Sequence, residues 1–251
     1  MNKLLRRAYQ IKHVLFSSAF SNWESMTAGV GDGYATPKVV ELYSKLRETG
    51  LALHEQVAID EAVKKFGEPR TCLVLGCGTG REVFALEKMG LTVHGADYSP
   101  KLLEKAIDFA EQIGSNAEFF LGTFPENSQK YDLIYATGFL SNYIAGRPNR
   151  VRLLTSLKKF ARPDSVICLH PDIYELSPFS RDHLSAQLLR LRSLWSDWEW
   201  IEGDSLKPDY GVETRVHYHH YYPNEKAFAD ELRDAGLKGY PLPCEYWIVG
   251  L

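Results

Sequence analysis

The ten residues LVLGCGTGRE, at positions 73–82, carry the strongest structural signal in the chain. They overlap a short apolar run at 72–77, which is typical of a strand buried on both faces of a parallel sheet. Gly76, Gly78 and Gly80 come next, and a helical pattern begins directly after them. A strand that enters a helix through such a turn predicts a backbone that a ligand can approach closely.

The alternation of strand and helix continues on the C-terminal side. The predicted strands are 72–77, 92–97, 117–122, 131–137 and 165–170, and the clearest helices between them are 80–90, 99–114 and 149–161. Ser99 is a suitable N-cap for the second of these helices, and Pro100 suits its first position. Five units of a strand followed by a helix predict a parallel, doubly wound α/β sheet.

The C-terminal part of the chain departs from this alternation. A helix at 224–237 and two short strands after it predict an antiparallel hairpin, which completes a seven-stranded, mostly parallel sheet. Residues 173–223 read as an insertion after the fifth strand, and extra material above strand ends usually covers a site. The elements predicted in this insertion are a helix near 181–196 and two strands, 198–203 and 214–222, around a turn at 203–211.

The N-terminal residues 1–68 read as a helical cap, broken by a glycine-rich loop at 28–37 (AGVGDGYATP). The first helix is amphipathic and basic, as in a transit peptide or a membrane-surface helix, but we prefer a helix docked on the core. Its basic residues are Lys3, Arg6, Arg7 and Lys12. The domains expected overall are the cap at 1–68, a core at 69–172 and 224–251, and a lid at 173–223.

A carboxylate follows the second predicted strand and helps to identify the ligand. Asp97 lies seventeen residues past Gly80, at the end of the adjacent strand, where it can accept hydrogen bonds from ribose hydroxyls. A dinucleotide fingerprint would be GxGxxG, but here the third glycine position holds Arg81 and the spacing is GxGxG. That spacing resembles motif I of the class I, Rossmann-like S-adenosylmethionine-dependent methyltransferases. HGADYSPKLLEKA, at 94–106, resembles the second-strand segment of the same superfamily.

The resemblance covers residues 70–172 and implies a set of cofactor contacts. The turn would pass beneath the methionine part of S-adenosylmethionine, Asp97 would hold the ribose, and Tyr98 would lie against the adenine. Where the family often has an acidic residue for the adenine amino group, this chain has Thr123, followed by Phe124. The remaining contacts implied are Gly76, Cys77, Gly78 and Gly80 in the turn, and Thr137, Gly138 and Phe139 around the sulfonium.

The acceptor must be inferred from what surrounds the methyl group, because a direct displacement depends mainly on alignment and needs no fixed catalytic residue. In the family that the chain resembles, enzymes that methylate a base amine carry a proline pair after the fourth strand, and those that methylate pyrimidine C5 carry a cysteine there. The resemblance therefore disfavours base methylation, since TGFLSNY at this place contains neither. The formal net charge of -3 also gives no overall attraction for nucleic acid. We therefore expect a small-molecule acceptor that is methylated on an N, O or S atom.

Three residues are candidates for contact with the acceptor. His170 and Asp172 follow the fifth predicted strand, at the edge where open α/β sheets bind ligands. Tyr34 lies in the predicted glycine-rich loop, whose glycines suit a moving lid. In VHYHHYY, His217 and His219 share one face of a strand, but no third metal ligand is evident and we expect packing instead.

Other functions remain open from the sequence. A protein or RNA methyltransferase would use a local basic surface, for which 3–12 and 147–159 are candidates. A non-catalytic scaffold would retain the fold without the reaction. No apolar run approaches the roughly 18 residues of a membrane span. We expect the four cysteines, Cys72, Cys77, Cys168 and Cys244, to be free thiols, mostly buried, and this favours a reducing compartment such as the cytoplasm.

Overall fold

A computed structural model of the chain describes residues 3–126, 128–174, 181–209 and 215–250. Its N-terminal helices are α1 (Lys3–Phe16), α2 (Trp23–Tyr34), α3 (Pro37–Leu46) and α4 (Leu53–Phe66). The last two follow the predicted loop within the predicted helical cap, and α1 docks through the fully buried Val14. No helix of the described residues is long and apolar enough to cross a bilayer.

The predicted loop at 28–37 is wrong for most of its length, because α2 continues through its glycines to Tyr34. The side chain of Asn22 caps this helix by accepting a hydrogen bond from the backbone N–H of Ser25 at 2.8 Å. Each helical glycine costs about 1 kcal/mol relative to alanine. The burial of Met26 and Val30 offsets that cost, since each buried side chain contributes about 1.5–3 kcal/mol.

The central sheet agrees with the sequence prediction. The strands of the described residues are β1 (Thr71–Leu75), β2 (Thr92–Asp97), β3 (Glu118–Leu121), β4 (Tyr131–Ala136), β5 (Ala161–Leu169), β6 (Asp204–Pro208), β7 (Val216–His220), β8 (Lys238–Pro241) and β9 (Trp247–Gly250). Within this part of the chain, seven strands form one sheet in the order β3-β2-β1-β4-β5-β9-β8. Strands β1 to β5 are parallel, whereas β9 runs antiparallel to β5 and to β8. The seven-stranded sheet with a C-terminal hairpin is confirmed.

Helices cover both faces of this sheet. They are α5 (Arg81–Lys88), α6 (Pro100–Ile113), α7 (Arg147–Leu157), α8 (Arg181–Ser193) and α9 (Glu225–Asp234), of which α8 belongs to the insertion. Neighbouring residues of a strand point to opposite faces. Cys72 and Val74 accordingly pack with α4, α5 and α6, whereas Leu73 and Leu75 pack with α7 and α9. The doubly wound arrangement is therefore confirmed.

The insertion forms a separate two-stranded sheet, in which β6 pairs antiparallel with β7. The prediction of a strand at 198–203 is wrong, because the pairing segment begins at Asp204. Two indole groups fix the preceding segment instead: Trp198 Nε1 donates to the carbonyl of Phe20 at 3.0 Å, and Trp200 Nε1 donates to the carbonyl of Asp204 at 3.1 Å. The predicted turn at 203–211 lies partly outside the described residues.

A buried ion pair joins the insertion to the core. Arg150 of α7 is fully buried, and its Nη2 lies 2.7 Å from Oε1 of Glu231 on α9. Its Nη1 donates to the hydroxyl of Tyr218 on β7 at 3.2 Å, and that hydroxyl donates to Asp204 of β6 at 2.6 Å. These contacts fix the position of the β6–β7 hairpin above the carboxyl ends of the central strands.

Candidate active site

A cavity of about 1400 Å³ opens at the carboxyl ends of β1, β2 and β4. It exceeds the roughly 300–1,000 Å³ of ordinary small-molecule sites, so it has room for two ligands. The glycine turn and the end of β2 form its base, while α2, α3 and the β6–β7 hairpin form the opposite wall. Among the predicted site residues, those lining it are Tyr34, Gly76, Cys77, Gly78, Asp97, Tyr98, Thr123, Thr137, Gly138, Phe139 and His170.

The turn after β1 requires glycine at two positions. Gly76 has a φ of 71°, and a Cβ there would lie 2.6 Å from the hydroxyl oxygen of Thr137. That hydroxyl donates to the carbonyl of Gly76 at 2.8 Å and ties β1 to the end of β4. Gly80 has a φ of 93° and caps α5, and a Cβ there would collide with the Phe84 ring. The turn therefore presents bare backbone to the cavity.

Asp97 lies at the end of β2, beside this turn. Its Oδ2 accepts from the backbone N–H of Gly78 at 2.8 Å, and its Oδ1 accepts from the N–H of Ser99 at 2.8 Å. Burial raises the pKa of the Asp97 carboxyl, and these donors oppose that rise. Each carboxylate oxygen can accept more than one hydrogen bond, so both remain able to bind a pair of ligand hydroxyls.

The residues predicted around an adenine have different surroundings. The Tyr98 ring is largely exposed at the rim of the cavity, and Thr123 lies at its wall. The Phe124 side chain does not line the cavity, because its ring stacks on Phe160 with centroids 5.0 Å apart and belongs to the core. Only the backbone of Phe124 is therefore available to contact an adenine.

A charged cluster that the sequence analysis did not identify lies at the other end of the turn. The Arg81 guanidinium donates to both carboxylate oxygens of Glu55, at 2.8 and 2.5 Å, and to Glu82 at 2.6 Å. Burial raises the pKa of Glu82 to about 6, although Arg81 acts to lower it. All three side chains line the cavity. From the sequence, Arg81 had only excluded a dinucleotide fingerprint.

His170 projects from the end of β5 into an aromatic environment. Its ring stacks on Tyr246 with centroids 4.5 Å apart and lies 4.6 Å from the ring of Phe139. Neither ring nitrogen has a hydrogen-bond partner among the described residues, and the nearest carboxylate oxygen, of Glu245, is 3.6 Å away. Burial and the nearby His54 lower the pKa of His170, which favours the neutral imidazole.

Asp172 does not line the cavity, unlike His170 two residues earlier. Its Oδ2 accepts from the ammonium of Lys207 at 2.9 Å and lies 2.9 Å from Nε2 of His219. Burial disfavours its ionisation, but these two contacts outweigh burial and lower the pKa of Asp172. Its position is that of a group that orients Lys207 and His219.

Tyr34 lines the cavity from the last residue of α2 rather than from a loop. Its hydroxyl donates to the hydroxyl of Tyr143 at 2.9 Å, and the two rings meet edge to face with centroids 5.7 Å apart. Tyr143 belongs to a short 3-10 turn, Leu140–Tyr143, that follows β4. The two tyrosines form an aromatic wall beside the predicted sulfonium position.

The hairpin brings a second pair of residues to this wall. His217 and Asp209 both line the cavity, and Nδ1 of His217 lies 2.7 Å from Oδ1 of Asp209. From the sequence, His217 was expected only to pack. Its alternation with His219 had signalled a common strand face, but the partner Asp209 is brought close by the hairpin. Among the described residues, no group of three or more His, Cys, Asp or Glu side chains is arranged to hold a metal ion.

The four cysteines are free thiols: Cys72, Cys77 and Cys168 are buried, and Cys244 is partly exposed.

Comparison with known proteins agrees with this architecture. Residues 73–167 match a family model described as a methyltransferase domain. A curated relative, Hemagglutinin 1 of Eikenella corrodens, is 28% identical over 152 residues, which are 58% of this chain and 49% of that protein. The chain thus spans about half the length of this relative.

Solved structures of methyltransferases share the fold. An S-adenosylmethionine-dependent methyltransferase from Clostridium acetobutylicum has a TM-score of 0.60 at 15% identity, over 85% of this chain and 98% of that one. A sugar N-methyltransferase from Streptoalloteichus has 0.60 at 14%, over 86% and 94%. The 1,6-didemethyltoxoflavin-N1-methyltransferase of Burkholderia thailandensis, solved with 1,6-didemethyltoxoflavin and S-adenosylhomocysteine, has 0.56 at 14%, over 91% and 88%.

The matched domain contains the glycine turn, Asp97 and the end of β4, which together form the base of the cavity. The order of the strands and the C-terminal antiparallel hairpin extend the agreement to the whole sheet. The methyltransferase-domain model matches residues 73–167, and the chain shares its fold with solved S-adenosylmethionine-dependent methyltransferases.

Proposed function

We propose that the protein transfers a methyl group from S-adenosylmethionine to an N, O or S atom of a small molecule by direct displacement. The observation that carries this proposal is a continuous cavity that joins the glycine turn and Asp97 to a chamber lined by Tyr34, Tyr143 and Phe139. The cavity is large enough for a cofactor and an acceptor together.

The base of the cavity suits the cofactor. The Gly76–Gly80 turn offers bare backbone, and Asp97 has lone pairs free for two ribose hydroxyls. Arg81, Glu55 and Glu82 provide both signs of charge where a zwitterionic methionine end would lie. Bound there, the cofactor supplies an electrophilic methyl carbon and a sulfide leaving group.

The opposite wall positions the acceptor and excludes water. We assign the cap at 1–68 and the insertion at 173–223 to this role, because α2 and the β6–β7 hairpin both line the cavity. Tyr34 supplies a hydroxyl to this wall, whereas His170 contributes its ring, because both of its ring nitrogens are buried without a protein partner. Asp172 acts indirectly, by orienting Lys207 and His219.

A polymer acceptor is the alternative, and the surface charges argue against it. Within the basic segment at 147–159, Arg147 pairs with Asp234, and Arg150 is buried against Glu231.

The free thiols favour a reducing compartment such as the cytoplasm, where dissolved acceptors of many kinds are available.

The experiment supplies methyl-labelled S-adenosylmethionine to the purified protein together with a cell extract that has been separated by size. We expect the label to appear in the fraction of small molecules and not in protein or RNA. Asp97→Ala should abolish this labelling, whereas Asp108→Ala, which changes an exposed carboxylate on α6, should preserve it. Label in protein or RNA, or none in any fraction, would contradict the proposal.

A further inference from the structure

The Asp209–His217 pair is the strongest chemical feature that the cofactor site does not use. Asp209 and His217 are each almost fully buried, yet both contribute to the cavity wall. The carboxylate is held in place by a second contact, since Nε of Arg215 lies 3.4 Å from its Oδ2. Gly33 of α2 allows the close approach, because a Cβ there would lie 3.3 Å from Oδ1 of Asp209.

The hydrogen bond determines which ring nitrogen of His217 carries a proton. A carboxylate only accepts, so Nδ1 must be the donor to Asp209 across the 2.7 Å contact. Nε2 then carries a lone pair in the neutral ring. Among the described residues, Nε2 of His217 has no hydrogen-bond partner. This atom is not fully buried, and the residue lines the cavity. The ring is therefore oriented as a proton acceptor.

The other histidines of this region are arranged differently. Of the described histidines that line the cavity, His54, His170 and His217, it is His217 whose ring nitrogen is hydrogen-bonded to a carboxylate. His219 also has a carboxylate partner, Asp172, but its remaining nitrogen is buried without a partner and it does not line the cavity. The combination of a carboxylate partner and access to the cavity thus singles out His217.

The surroundings of His217 favour binding of an aromatic acceptor whose oxygen atom develops negative charge. Lys207 is directly opposite His217 in the β6–β7 pairing, lines the cavity, and holds its ammonium 5.3 Å from the centroid of Phe139. The rings of Tyr143 and Tyr34 lie 5.9 and 6.4 Å from the His217 ring, measured between centroids. Aromatic rings pack well against such walls, and a nearby ammonium stabilises negative charge that develops on oxygen.

We propose that His217, oriented by Asp209, is the general base that removes the proton from a phenolic hydroxyl of the acceptor, which makes this protein an O-methyltransferase for aromatic hydroxyl compounds. The inference rests on the proposed function and names its substrate class. A base is needed because a hydroxyl carries its proton at neutral pH, whereas a neutral amine or thioether already presents a free lone pair.

The proposed step involves the acceptor hydroxyl, the methyl group and sulfur of the cofactor, and His217. The hydroxyl proton passes to Nε2 of His217, and the oxygen forms its new bond to the methyl carbon. The carbon–sulfur bond of the cofactor breaks, and its electron pair stays on sulfur, which gives S-adenosylhomocysteine. Asp209 stabilises the imidazolium that results, and His217 then releases the proton to water.

The first test examines the protein without an acceptor. Nitrogen NMR of the imidazole rings is recorded in the presence of S-adenosylhomocysteine at about pH 8.5. This pH is well above the ordinary histidine pKa of about 6.5. The signals lost in His217→Asn identify the residue. We expect the Nδ1–H tautomer in wild type and a shift towards the Nε2–H tautomer in Asp209→Asn. An Nε2–H tautomer in wild type would overturn the proposal.

The second test compares matched acceptors, phenol and catechol against aniline, with methyl-labelled S-adenosylmethionine. We expect methylation of the phenols, with kcat/KM about 10²–10⁴ lower in His217→Asn and at least about tenfold lower in Asp209→Asn. The dissociation constant for S-adenosylhomocysteine should not change in either variant. His183→Asn, on α8 and outside the cavity wall, should retain wild-type rates.

The outcomes separate this inference from the proposed function. A wild type that binds S-adenosylmethionine but methylates aniline alone, or neither class, overturns the base assignment alone. Undiminished phenol methylation by His217→Asn does the same. A folded wild type that binds no S-adenosylmethionine overturns the proposed function and this inference with it.

Discussion

Single residues of the site have environments that only the folded chain creates. His219 illustrates this, because burial lowers its pKa to about 4 even though Asp172 acts to raise it. The sequence placed His219 and His217 on one strand face, but it held no information on which would reach a cavity. Asp97 is the opposite case, since the strand pattern and the glycine spacing were enough to predict its position at the end of β2.

The depressed pKa of His219 makes folding sensitive to acid. Below pH 6.5 the unfolded chain binds a proton at this residue that the folded chain does not bind until about pH 4, so stability falls as the pH falls through this window. The expected loss from this residue between pH 7 and pH 5 is about 2 kcal/mol. Urea unfolding at both pH values should show a smaller acid loss for His219→Gln than for wild type. Equal losses in the two proteins would contradict this assignment.

At the scale of elements, the sequence predicted those strands and helices that the spacing and burial of apolar residues alone determine. Residues 72–75 of β1 form a continuous apolar run because both faces of this strand are covered, and such a run is easy to recognise. The glycines of α2 and the tryptophans before β6 misled the prediction, because packing against distant residues overrides local preference there.

The contact of α7, α9 and β7 depends on the buried pair Arg150–Glu231. Glu231→Gln removes one charge and leaves Arg150 uncompensated in the interior, so we expect a loss of about 3–5 kcal/mol in the free energy of unfolding. Glu225→Gln, at the exposed start of the same helix, should cost at most about 1 kcal/mol. Urea unfolding of both variants measures the difference, and similar small losses would show that the pair is not stabilising.

At the scale of the whole molecule, the cavity is assembled from segments far apart in the chain. Most of the half that we assign to the cofactor comes from the matched domain at 73–167, and its glycine turn and Asp97 were predictable because they follow recognisable strands, whereas Glu55 comes from α4. The half that we propose for the acceptor combines α2, the turn after β4 and the β6–β7 hairpin. Asp209 and His217 lie eight residues apart with no periodic relation, so the hairpin alone brings them into contact.

The central claim is that this cavity binds S-adenosylmethionine through the glycine turn and Asp97. Calorimetry of S-adenosylmethionine and S-adenosylhomocysteine tests it most directly, with wild type, Asp97→Ala and the surface control Asp108→Ala. We expect micromolar binding by wild type and by the control, and at least tenfold weaker binding by Asp97→Ala, a loss of about 1.4 kcal/mol or more. A folded wild type that binds neither compound, or Asp97→Ala that binds as wild type does, would contradict the account.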